Sequence, residues 1–325
     1  MHKEVRHVLI ALPIIVVVAA AITLLRGPST PRTPTPAPAP AAEADGTIRI
    51  AALSPAFGAI LADLHAADLV VARHGFDRHL PASIPVGGDQ GGIDYEALLR
   101  AQPTHVLTQW GARELPPRLV TLSEREGWSL HDHRLLTAED IAAATMDVAA
   151  IAGRKDEARA LVDRLERVLA EPDDASVLAA RRSLGPVLLL GAVQPAAAFG
   201  PGSWHHELLV RQGFTNAAPE HAGAWVNLDA EDVLRLSPRA IVLVRATPGT
   251  PSEPGQKPAP GSIPVRVHTG DEAGAALGRL ATLDTPARDR GALIVLDHPL
   301  SMIPGTHAAA LGEALARALD ELIHD

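Results

Sequence analysis

Between residues 137 and 171 the chain carries one amphipathic segment too long to serve a single small sheet, flanked on both sides by alternating strand and helix. Apolar side chains recur at Ile141, Val148, Ile151, Leu161, Val162, Leu165, Val168 and Leu169, the three-and-four spacing of one helical face. Thr137 with Asp140 reads as a capping-box start, Glu139 adds negative charge to the first turn, and Glu171-Pro172 supplies a stop. At about 1.5 Å per residue such a helix runs about 50 Å, enough to span two domains. The spacing therefore predicts one spine helix over 137–171. Gly153 is its weak point, because an interior glycine costs about 1 kcal/mol against alanine and marks a bend or a break. A helical hairpin within one domain is the alternative.

The regions around the spine divide by composition. Residues 1–26 hold an apolar run from Val8 to Leu25, with Lys3 and Arg6 before it and Arg26 after it. Its length predicts an uncleaved transmembrane anchor in the cytoplasmic or inner membrane, with a cleaved export signal as the alternative. Basic residues ahead of such an anchor leave the rest of the chain extracytoplasmic, in the periplasm or at the cell surface. Residues 27–46 are rich in Pro, Ala and Thr and read as an extended tether reaching up to about 60 Å.

From Thr47 onward the strand, turn and helix alternation predicts parallel sheets in two Rossmann-like lobes, 47–136 and 172–325, joined by the spine. Strands are expected at Ile48 to Leu53, Leu69 to Ala72, His105 to Thr108, Trp128 to Leu130, Val187 to Leu190, Ile241 to Val244 and Ile294 to Leu296. The Pro- and Gly-loaded stretch Ala246 to Pro264 reads as a surface loop. In open parallel sheets ligands sit beyond the carboxyl ends of the strands. The loops that follow the strands carry Ser54, Pro55, His74, Phe76, Gln109, Trp110 and His298, while Trp204 and Trp225 open later helices.

A net charge of -9 argues against a nucleic-acid partner, and the absence of cysteine removes disulfides, thiolate metal sites and a lipid-attachment cysteine. The fifteen histidines invite a metal reading, but His131 and His133 flank one residue, His205 and His206 are adjacent, and no HExxH pair occurs. They read as solvated loop histidines, with no site for a bare ion. Arg73, Arg78, Arg113 and Arg134 are available to anionic ligands. Gly87 to Gly92 lacks the spacing of a phosphate loop, Gly202-Ser203-Trp204 is not a nucleophile elbow, and Asp297-His298 with Ser301 carries no triad geometry. No catalytic residues and no permanently bound cofactor are expected.

The order of short motifs resembles the substrate-binding proteins that deliver cobalamin, ferric siderophores or haem to ABC importers. The matching pieces are Arg49 to Pro55, Val86-Gly87-Gly88, Asp94 to Leu99 before Gln102-Pro103-Thr104, Ala152 to Ala158, Ser203 to Leu209, and Asp229 to Leu234 before Leu236-Ser237-Pro238. The resemblance implies two lobes on a rigid helix, a monomer, and a metal chelate held between the lobes, a corrinoid first and an iron chelate second. It implies that Trp110 and Trp225 face the cleft, where indoles bury large area at low entropy cost. It also implies that Glu114 and Glu231 are lobe-tip carboxylates docking on the importer's permease. A membrane-tethered sensor of the same ligand, or a hydrolytic or metal-dependent enzyme, are the alternatives.

Overall fold

The computed structural model describes residues 47–111, 113–247 and 259–324. The chain divides into units of residues 1–40 and 41–325. Residues 1–46, where the sequence leads one to expect a membrane segment and a tether, lie outside the described residues. Among the described residues no helix is long and apolar enough to cross a membrane.

The first lobe is laid down as β1 (Ile50–Ala52), α1 (Pro55–Asp63), β2 (Val70–His74), β3 (Val86–Asp89), β4 (Gly92–Ile93), α2 (Tyr95–Ala101), β5 (His105–Thr108), α3 (Pro117–Glu126) and β6 (Ser129–Asp132). Its sheet has the order β4-β3-β2-β1-β5-β6 and is parallel except for the β3–β4 hairpin. Ile50, Ala52 and Leu107 point to one face, under α1, whereas Ala51, Ala72 and Val106 point to the other with Leu98, Leu119 and Trp128. Trp128 therefore sits in the core, as its position at a strand start suggests.

The predicted spine is instead two helices, α4 (Ala138–Ala152) and α5 (Lys155–Leu169). Thr137 caps α4 through a complete capping box with Asp140, as read from the sequence. Gly153 ends it in the left-handed conformation, φ 68°. Glycine adopts that conformation without a Cβ clash, so the residue that weakened the single-helix reading makes the turn. The break does not confine the helices to one lobe. Ala138 and Ile141 of α4 lie in the second lobe's core, while its Val148, Ala149 and Ala152 lie in the first lobe's core. Helix α5 returns, with Ala158 in the first core and Leu165 and Leu169 in the second.

The second lobe continues as α6 (Ala175–Ser183), β7 (Pro186–Val193), β8 (Ala196–Phe199), α7 (Trp204–Val210), β9 (Thr215–Asn216), β10 (Trp225–Leu228), α8 (Ala230–Leu236), β11 (Ala240–Arg245), β12 (Arg266–His268), α9 (Gly270–Leu277), α10 (Pro286–Asp289), β13 (Leu293–Asp297) and α11 (Ala308–His324). The expectation of a parallel sheet holds only for its centre. Strands β9, β7, β11 and β13 pair in parallel, but β8 and β10 on one side and β12 on the other are antiparallel. Alternate residues of β7, Val187 and Leu189, face α5, α7 and α11, and Leu188 and Leu190 face the opposite core.

The hairpin makes a direct test available. No atom lies within 4 Å of where a Cβ on Gly153 would stand, so Gly153→Ala costs only the strain of a left-handed alanine. The expected loss is about 1 kcal/mol, read as a lower urea midpoint at unchanged slope. An unchanged midpoint would show that the turn does not require this conformation.

Candidate functional site

The first lobe gathers its loops at the carboxyl edge of its sheet. Ser54 is buried, caps α1 through the Ala56 amide, and its hydroxyl donates to Gln109 Oε1 at 2.6 Å. Pro55 occupies the first turn of α1, where its missing N–H costs nothing. Gln109 is exposed and Trp110 half-buried. The Trp110 backbone is fixed by Asp132, whose carboxylate accepts from the Trp110 amide (2.7 Å), the Gly111 amide (3.0 Å) and the Thr108 hydroxyl (2.6 Å). Sequence reasoning missed Asp132. The signal was present in strand alternation, which turns Asp132 away from His131 and His133.

His74 ends β2, and its Nδ1 accepts the Phe76 amide at 3.2 Å. The neutral ring therefore carries its proton on Nε2. Burial lowers its pKa, with Asp89 and Asp77 opposing the shift. Phe76 beside it is 53% exposed. Arg73 is not available to a ligand, because its guanidinium donates to the carbonyls of Ile84, His74 and Asp77.

In the second lobe Trp225 is 45% exposed and stands edge-on to Phe199, ring centroids 5.4 Å apart. Both rings lie over Gly191, where a Cβ would come within 2.6 Å of each. Only glycine at that strand position admits the pair. Trp204 and His298, expected at the ligand, are placed elsewhere. Trp204 is 4% exposed and belongs to the core beneath α7, stacked on His205 at 3.6 Å. His298 is fully buried and stacks on His307 at 5.2 Å. Neither side chain is open to solvent in this arrangement.

The histidines are also less solvated than expected. His205 Nε2 donates to the Ser301 carbonyl (2.7 Å), His307 Nε2 donates to the Leu300 carbonyl (2.9 Å), and His298 Nδ1 accepts the Leu300 amide (3.1 Å). Burial pushes His205 and His307 down to about 3 and His298 to about 4. His131 stacks on His105 at 5.4 Å and is held at about 4 by burial, with His105 and His133 adding repulsion. Among the described residues no group of His, Asp and Glu is arranged to hold a metal ion.

Glu114 is exposed ahead of α3, and Glu231 is exposed in the first turn of α8, 3.3 Å from Arg235. An open depression of about 820 Å³ lies on the outer side of the second lobe, between α5, α6 and α11. Its Arg181 is already paired with Asp320 at 2.6 Å, and it adjoins none of the loops described above.

Two α/β lobes sharing a helical hairpin, with aromatic side chains exposed on each, define a two-lobed binding-protein fold. Residues 50–256 match the periplasmic binding protein family, and the chain belongs to it. The fold is similar to the periplasmic haem-binding protein of Vibrio cholerae, with TM-score 0.61 and 15% identity over 84% of this chain and 99% of that one. It is similar as well to the periplasmic haem-binding protein of Roseiflexus sp. RS-1 in apo form, with TM-score 0.58 and 17% identity over 86% and 100%. The periplasmic vitamin B12 binding protein of Vibrio cholerae aligns with TM-score 0.59 and 15% identity over 85% and 98%. No curated protein sequence matches the chain.

Asp132 carries the prediction for this site. Asp132→Ala removes the acceptor for two backbone amides and one hydroxyl, a loss of about 2 kcal/mol. Acrylamide quenching of Trp110, the tryptophan that loses its support, should rise. Unchanged quenching would mean that the loop orders itself without the carboxylate.

Proposed function

We propose that the chain is an extracytoplasmic receptor that captures a metal-chelate nutrient between its lobes and hands it to an ABC importer. The observation that carries this reading is the exposure of one large aromatic on each lobe, Phe76 at 53% and Trp225 at 45%, in a chain with only nine aromatic residues. Exposed rings of this size forgo about 1.5–3 kcal/mol of burial each, and the flat face of a macrocycle restores it. Family membership and the haem and vitamin B12 binders of the same fold support the ligand class. Membership also favours binding over turnover.

Within that class the corrinoid comes first. The sole tyrosine, Tyr95, lies under the Arg118 guanidinium at 4.3 Å and packs against the outer core of the first lobe, so no phenolate is offered to iron. His74 presents an N–H and not a lone pair while it accepts from Phe76. A metal whose coordination shell is already complete within its chelate fits these side chains better than one that needs a protein ligand.

Isothermal titration of the purified protein against cyanocobalamin, a ferric siderophore and haemin tests the reading. Cyanocobalamin should bind with micromolar or tighter affinity. Replacing Trp110 and Trp225 together by Ala should weaken it by at least about tenfold. Absence of binding to every chelate would overturn the function, and tight binding of haemin alone would overturn the order.

Delivery to the importer has its own test. Glu114 and Glu231 are the proposed docking charges, and complementary charge governs encounter more than affinity. Glu114→Arg with Glu231→Arg should leave ligand affinity unchanged yet lower ligand-dependent importer ATPase activity, most at low salt. Undiminished ATPase activity would leave these residues as helix-start charges.

A further inference from the structure

The loop 298–307 belongs to the second lobe but is fastened to the first. Ile303 packs against the first lobe's core, and the Thr306 hydroxyl donates to Asp63 at the end of α1. The same loop is held in shape by imidazoles. His205 and His307 bond its carbonyls at Ser301 and Leu300, and His298 takes the Leu300 amide. His205, His298, Ser301 and His307 are each no more than 4% exposed.

The polar accounting of this loop is incomplete. His298 Nε2, His307 Nδ1 and Ser301 Oγ are buried without a hydrogen-bond partner. The groups that face the rings are few. His79 of the first lobe acts on both His298 and His307, the Ile263 carbonyl lies near His298, and the Ile303 carbonyl lies near His307. From α7, Trp204 meets His307 edge-on at 6.3 Å and His205 from its face. Asp297 next in sequence is committed to Arg245 at 2.7 Å and His268 at 3.2 Å. Among the described residues no carboxylate bears on either stacked ring, so no anion is on hand to compensate a proton there.

We infer that the loop 298–307 is an acid-released latch between the lobes, closed while its imidazoles are neutral and opened when they are protonated in solvent. The sign follows from linkage. A histidine held neutral by burial binds fewer protons than one in water, so closure is favoured above the solvent pKa of about 6.5 and lost as pH falls. Each ring freed on opening multiplies the open population roughly 20-fold between pH 7 and pH 5. Asp63 opposes this in part, because burial raises its pKa and its protonation in the closed state comes first. His205 stays stacked between Phe199 and Trp204 at 3.6 Å, so two loop rings, His298 and His307, stand against one carboxyl and leave opening on acidification as the net direction. Under the receptor reading above, ligand would leave more readily in acid, but the latch itself does not depend on which ligand binds.

Hydrogen exchange of the whole protein without ligand, corrected for the intrinsic pH dependence of the amides, reads the latch directly. Between pH 7 and pH 5 the open population of residues 298–307 should rise at least about 20-fold while strands β7 and β11 keep their protection. His298→Gln with His307→Gln should abolish that rise, and Ile303→Ala should raise opening at pH 7 without altering the pH ratio. Constant protection of the loop would overturn the inference. So would simultaneous loss of protection in loop and strands, which is whole-chain acid unfolding. The wild-type measurement decides both even if the double variant fails to fold. A latch confirmed while every chelate fails to bind would refute the receptor reading and leave the latch standing.

Discussion

Two hydrophobic cores share one pair of helices, and the relative position of the lobes depends on that sharing. Helix α4 enters from the second core through Ala138 and Ile141 and ends in the first through Val148, Ala149 and Ala152. Helix α5 makes the return journey from Ala158 to Leu165 and Leu169. Four of the α4 contacts, Ala138, Ala144, Ala149 and Ala152, are alanines, whose small side chains bring the helix close to its neighbours. A sliding motion would uncover parts of both cores together, and large buried side chains lost from packing cost about 2–5 kcal/mol apiece. The hairpin therefore behaves as a strut.

A second fastening works beside it. Asp63 of the first lobe accepts from the Gly261 amide at 2.8 Å, and Arg164 of α5 donates to the Gly261 carbonyl at 3.2 Å. Arg164 also holds Glu313 of α11 through two bonds of 2.9 and 2.8 Å. One residue of the second lobe is thus gripped on both its backbone groups, by a carboxylate from one lobe and a guanidinium from the shared hairpin. Burying Asp63 has a desolvation cost, offset by these bonds and by Thr306. With strut and grip both tying the lobes together, movement falls to the loops and not to a hinge.

How much of this was legible follows from which forces are local. Helices α2 and α8 carry purely local marks, because Asp94 and Asp229 cap them and apolar spacing marks their faces. Strand β5 was equally plain, His105 to Thr108. Strand β8 was not, since Ala196, Ala197 and Ala198 carry almost no strand preference and pair only because β7 and β10 flank them. Strand β3, Val-Gly-Gly-Asp, carries no strand preference in its glycines either. At the site, the aromatic loops were visible from the residue types, but Trp204 was drawn wrongly to the surface because a loop-to-helix position says nothing about burial. His298 reads as an open loop histidine for want of any local mark of the packing around it. Asp63 had no local signal at all, its partners being about 200 residues away in Gly261 and Thr306.

What remains exposed is informative because so much else is covered. Of the nine aromatic residues, Phe57, Trp128, Phe199, Trp204 and Phe214 are buried, and Tyr95 is roofed by Arg118. Phe76, Trp110 and Trp225 are left at loops or strand starts. The two indoles have dedicated support. Asp132 pins the Trp110 backbone through three hydrogen bonds, and Gly191 with Phe199 forms the seat for Trp225. Support of this kind fixes side chains before any partner arrives, so the ordering cost of binding is met at folding. An aromatic surface left exposed by default would lack such scaffolding. The presence of a separate device under each indole, one a carboxylate and one a missing side chain, is what supports the proposal that each lobe offers its indole to the ligand.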